Sequence, residues 1–136
     1  MRIEPSLEDF APLYDAGRPT VVWTTLVGDL ETPVSAWMKV AAGRDHCILL
    51  ESVEGGQSRG RWSMIAFDPD LVFRAKGAKG EINRRFAADR AAFEPVEGPS
   101  LEAMRALIHA EEFEMPAGLP PMSAGMFGYL GYDMVR

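Results

Sequence analysis

The sequence predicts an α+β fold, with a largely antiparallel sheet and a few helices packed on it. Three observations point there. Strand-like runs follow one another between residues 46 and 86 with links too short for a parallel crossover. Two early segments carry Ser or Thr helix-capping signals. A third segment near residue 100 has apolar residues at helical spacing. At 136 residues the chain has the size of one ordinary domain, so a single core is expected over residues 1–136.

In chain order, Ser6-Leu7-Glu8-Asp9 resembles a capping box with Asp in the acceptor position. Phe10, Leu13 and Tyr14 follow at helical spacing, and Gly17 is the stop. The β-branched run from Thr20 to Val27 reads as a strand. Thr32-Pro33 opens a second helix that should end near Gly43. Strands are then expected at His46 to Val53, Arg61 to Phe67 and Leu71 to Lys76, with a weaker one at Glu81 to Phe86. Asp68-Pro69-Asp70 and Gly77-Ala78-Lys79-Gly80 supply turns between them, which makes an antiparallel meander the natural arrangement. Beyond the stretch from Pro95 to Pro99, Ser100 is expected to cap a helix with the stripe Leu101, Met104, Leu107 and Ile108. Prolines and a glycine between Met115 and Pro121 break it, and Met122 to Val135 reads as a long glycine-interrupted strand.

Composition excludes several function classes. With 47% apolar and 25% charged residues the chain is globular rather than disordered. A net charge of −6 repels phosphate backbones and anionic lipid, so nucleic acid is not an expected partner. The basic cluster Arg84, Arg85 and Arg90 lies among acidic residues and reads as a solvated face. Cys47 is the only cysteine, which excludes an internal disulfide and fits a reducing compartment; its apolar surroundings suggest a small buried residue. No run approaches the ~18 apolar residues of a membrane span, and no signal core begins the chain, so a cytoplasmic protein without membrane contact is expected.

Residues able to carry chemistry are few. His46 and His109 stand in no metal or triad spacing, so neither a catalytic nor a metal site is assigned. Gly55-Gly56-Gln57-Ser58-Arg59-Gly60 lacks the Lys-Ser/Thr ending of a phosphate loop and reads as a connection. Glycines 125, 128 and 131 suit a strand that another group approaches closely. Glu51 differs, because it follows three apolar residues in a β-run and is joined by Ser52. A carboxylate and a hydroxyl at the end of a buried strand want a cationic partner, either a ligand or an arginine such as Arg61.

Leu49-Leu50-Glu51-Ser52-Val53-Glu54-Gly55-Gly56, followed by Gly60-Arg61-Trp62-Ser63-Met64-Ile65, resembles the start of anthranilate synthase component I and its chorismate-using relatives. The likeness continues in Asp68-Pro69 and returns in Gly125-Met126-Phe127-Gly128-Tyr129-Leu130-Gly131-Tyr132-Asp133-Met134-Val135-Arg136. It implies that residues 1–136 are the N-terminal regulatory region, an incomplete part of a larger β/α sandwich, with the chorismate-binding catalytic region absent. In that family the Leu-Leu-Glu-Ser element lines a feedback site for L-tryptophan, which carries over to Leu50, Glu51 and Ser52. The chemistry is sensible, since Glu51 offers an ammonium partner and Ser52 a hydroxyl. Ala66 departs from the glycine that family members often show there.

The resemblance implies a parent lyase that converts chorismate and glutamine to anthranilate, pyruvate and glutamate. Magnesium and a glutamine amidotransferase subunit or domain serve the parent. This portion alone should bind no Mg2+, should need the C-terminal region to meet chorismate, and should be inactive. The end at Arg136, in strand-like sequence without a polar tail, predicts that the chain is cut from something longer. Two other readings stand beside this one: the N-terminal part of aminodeoxychorismate synthase component I, and a stand-alone amino-acid-binding or interaction module.

Overall fold

A computed structural model describes residues 1–51, 62–110, 115–120 and 122–135. Among the described residues it is an α+β structure of three α-helices and two small antiparallel sheets. The chain divides into two compact units, Met1–Asp29 with Arg105–Met126 and Leu30–Met104 with Phe127–Arg136.

In the first unit, α1 spans Leu7–Asp15. Ser6 is the N-cap as the sequence predicts, accepting from the Asp9 amide at 3.2 Å, but the expected capping box is only half made, since the Asp9 carboxylate accepts from the Ser6 hydroxyl at 2.7 Å. Gly17 takes φ +65°, and the Arg18 amide donates back to the Leu13 carbonyl at 2.9 Å, which turns the chain out of the helix. The run from Thr20 to Val27 is not a strand. Its one β-bridge among the described residues is an isolated antiparallel one between Trp23 and Glu4, with bonds of 2.8 and 2.7 Å. β-Branched residues favour extended backbone, but a strand needs a neighbour to complete its hydrogen bonds.

In the second unit, α2 spans Pro33–Val40 behind a complete capping box. Thr32 Oγ1 accepts from the Ser35 amide at 3.0 Å, and Ser35 Oγ accepts from the Thr32 amide at 2.9 Å. β1 (Ile48–Glu51) pairs with β2 (Ser63–Ala66), and α2 lies against both strands. β3 (Val72–Lys76), β4 (Lys79–Asn83) and β5 (Glu94–Pro95) form the other sheet in that order. The expected single meander is therefore two sheets. Asp68, with φ +50°, turns the chain away between β2 and β3 instead of folding β3 back onto β2.

The two-residue turn Gly77-Ala78 closes β3 onto β4, with Gly77 at φ +59°. Gly80 is glycine for another reason, since a Cβ there would stand 2.8 Å from the Val96 side chain and 3.0 Å from the Phe73 ring. Ile82 and Phe86 are buried, and Phe86 packs edge-on against Phe93 at 6.3 Å between centroids. Asn83 is fully buried among them. Its amide donates to the Asp89 carbonyl at 2.7 Å, and its oxygen accepts from the Arg85 amide at 2.9 Å, so the chain after β4 is folded around one side chain.

The helix α3 spans Ser100–Ala110. Ser100 is its first residue rather than its cap, and its hydroxyl is spent elsewhere, donating to the Gly77 carbonyl at 2.7 Å. Along the predicted stripe Leu107 is buried and Leu101 and Met104 are half-buried, while Ile108 is exposed. The expected strand from Met122 to Val135 is absent. Residues 122–131 form turns and irregular backbone, and Tyr132–Val135 is a 3-10 helix. A Cβ added at Gly128 or Gly131 meets open space, so no close approach explains those glycines.

Candidate functional site

The site predicted from the sequence lies where the chain leaves β1 and later enters β2. The antiparallel register sets Glu51 opposite Ser63, Leu50 opposite Met64, Leu49 opposite Ile65 and Ile48 opposite Ala66. Opposite residues share a face and neighbours along a strand alternate. Glu51 and Ser63 therefore share one face with Leu49 and Ile65, whereas Leu50 and Met64 look to the other. Of the three predicted contacts, Leu50 and Glu51 are in place on β1 but on opposite faces. Ser52 lies outside the described residues, as do Arg61, the candidate internal partner, and residues 55–60.

The strand is not the buried one expected. Ile48 and Leu49 are half-buried, Leu50 is 41% exposed, and Glu51 is exposed. Ser63 is exposed too, and neither it nor Glu51 makes a side-chain hydrogen bond with the described residues. An exposed carboxylate beside a hydroxyl presents an acceptor and a donor to a polar ligand.

At the other end of the β1–β2 pair the charged groups are already matched. Arg44 pairs with Asp68 and stands 4.9 Å over the Phe67 ring, and Arg90 pairs with Asp45 at 2.6 Å. His46, at φ +58°, meets Phe86 edge-on at 4.6 Å between centroids. Cys47 is half-buried rather than buried, and its thiol donates to the Arg44 carbonyl at 3.3 Å. These contacts hold the entry to β1. They assemble no nucleophile and base.

Beside α2, Glu31 receives hydrogen bonds from Lys39 and from Ser35, and the Lys39 ammonium first, then Ser35, holds its carboxyl below the ordinary value. The first unit contains an open cleft of about 510 Å3 whose lining includes Glu4, Arg18, Trp23 and Met115. Among the described residues no three His, Cys, Asp or Glu side chains gather where they could hold a metal ion. No helix among them is long and apolar enough to cross a membrane.

The chain is 49% identical over 131 residues to anthranilate synthase component 1 of Cereibacter sphaeroides, covering 96% of this chain and 26% of that protein. The protein of the same name from Mycolicibacterium smegmatis is 40% identical over 132 residues, covering 96% of this chain and 24% of its own length. That of Synechocystis is 36% identical over 137 residues, covering 98% and 26%. The chain belongs to the anthranilate synthase component 1 family. It matches the N-terminal region of those proteins and spans about a quarter of their length. No family model matches the chain, and neither does a solved structure.

Membership in the anthranilate synthase component 1 family agrees with the resemblance carried by Leu49 to Gly56 and by Gly125 to Arg136. Ser63 was not singled out in the sequence. Its position opposite Glu51 follows from the register of β1 with β2, which the strand pattern alone does not fix.

Proposed function

We propose that this chain is the N-terminal regulatory portion of an anthranilate synthase large subunit and contributes part of an L-tryptophan feedback site. The observation that carries the reading is the match over 96% of the chain, at 49% identity, to a protein of that name. The parent would convert chorismate and glutamine to anthranilate, pyruvate and glutamate in the cytoplasm, as a step in tryptophan biosynthesis. Its catalytic residues and chorismate pocket belong to the remainder of the parent, and its glutamine-hydrolysing function to a partner subunit or domain. Mg2+ would belong with that remainder as well. The portion alone is inactive on this reading.

Leu50, Glu51 and Ser52 are the proposed tryptophan contacts. In support, Glu51 is exposed at the end of β1, where a carboxylate can meet the ligand's ammonium. Apolar neighbours in the same hairpin suit an indole. Inhibition then follows as a coupling free energy: tryptophan binds better to the conformation that handles chorismate poorly. The aminodeoxychorismate reading gains no support from the relatives compared above, each of which carries the anthranilate name.

The test uses the full-length parent, assayed with chorismate, Mg2+ and an ammonia source. Anthranilate should form and L-tryptophan should suppress it. In Glu51→Ala the tryptophan concentration for half inhibition should rise at least about tenfold, as expected for loss of a charge-assisted contact. Aminodeoxychorismate as product, or unchanged inhibition in the variant, contradicts the proposal.

A further inference from the structure

The pairing of β1 with β2 brings to the proposed tryptophan site a residue outside the Leu-Leu-Glu-Ser element. Ser63 stands directly opposite Glu51 in the ladder. Side chains so placed lie on one face with Cβ atoms about 5 Å apart. Both residues are exposed, and neither is engaged by a described side chain. The two differ in what they offer. An ionised carboxylate only accepts, whereas a serine hydroxyl also donates.

An acceptor beside a donor is the complement of a free α-amino acid, whose ammonium donates and whose carboxylate accepts. One pair further along the same face come Leu49 and Ile65, both half-buried, which give the polar pair an apolar neighbour. Leu50 and Met64 project from the other face, so the contact proposed for Leu50 would be made through its backbone.

We infer that Ser63 is a specificity-determining residue of this site, its hydroxyl donating to the ligand's α-carboxylate while Glu51 holds the ammonium. The inference rests on the proposed tryptophan site. It makes the site a two-strand device in which β1 reads the amine and β2 reads the acid. An amine that lacks the carboxylate then gains nothing from Ser63.

The experiment is calorimetric titration of the full-length parent with L-tryptophan and with tryptamine, which lacks the carboxylate. The variants are Ser63→Thr, Ser63→Val and Glu51→Gln. Thr and Val have the same shape and both suit a strand, so their contrast isolates the hydroxyl from any effect on folding. Ser63→Thr should keep L-tryptophan affinity within about threefold of the native protein, and Ser63→Val should lose about tenfold. The two should bind tryptamine equally, while Glu51→Gln weakens both ligands.

Equal L-tryptophan affinity in Ser63→Thr and Ser63→Val, with a loss in Glu51→Gln, overturns the role of Ser63 and leaves the site reading standing. No loss in any variant overturns the site reading itself. A parallel loss of L-tryptophan and tryptamine in Ser63→Val overturns the carboxylate assignment. Should tryptamine bind neither variant, the contrast between Thr and Val for L-tryptophan decides alone.

Discussion

Asn83 shows how much of the second unit depends on a single side chain. It is fully buried, and its two amide ends satisfy the Asp89 carbonyl and the Arg85 amide. Asn83→Ala leaves both backbone groups without that partner, at a cost of about 2 to 3 kcal/mol. Urea denaturation should show the loss as a lower midpoint with an unchanged slope. The residue was illegible in the sequence, because an asparagine in a weak strand pattern next to two arginines reads as surface. Gly80 was legible only as a turn glycine, whereas its role is to admit Phe73 and Val96 against the backbone of β4. The strand that ends at Glu51 was legible from the apolar run before it, but its exposure was not. Nor was the partner of Glu51 across the ladder, since that depends on the register of a strand far along the chain.

At the scale of elements, helices were read well and lone strands poorly, for one physical reason. A helix start closes its own hydrogen bonds within a few residues, so Ser6 with Asp9 and Thr32 with Ser35 announce α1 and α2 locally. A strand depends on a partner that its own sequence does not name. Ile48–Glu51 and Ser63–Ala66 have each other, while among the described residues Thr20 to Val27 forms a single backbone bridge, Trp23 with Glu4. The glycine-rich run from 122 to 131 has no ladder among the described residues. Ser100 illustrates the same limit, since a capping residue type can be claimed by a distant carbonyl, here that of Gly77. The capping box of α2 makes its own prediction. Thr32→Ala removes the acceptor for the Ser35 amide and should destabilise the second unit by about 1 kcal/mol. The check is a lower melting temperature, with Thr32→Ser close to the native value.

At the scale of the whole molecule, the chain is an α+β structure that spans about a quarter of the length of its anthranilate synthase relatives. The family was legible in two separated motifs, and near-complete coverage of the chain agrees with them. What the sequence held back was geometry: two sheets in place of one, and a carboxylate and a hydroxyl brought together from residues 51 and 63. L-tryptophan binding at the β1–β2 pair is decided by calorimetry of the full-length parent, native against Glu51→Gln. The native protein should bind L-tryptophan saturably at one site, and the variant should bind it at least about tenfold more weakly. Equal affinities in the two proteins, or no tryptophan binding to the native parent, would contradict binding there.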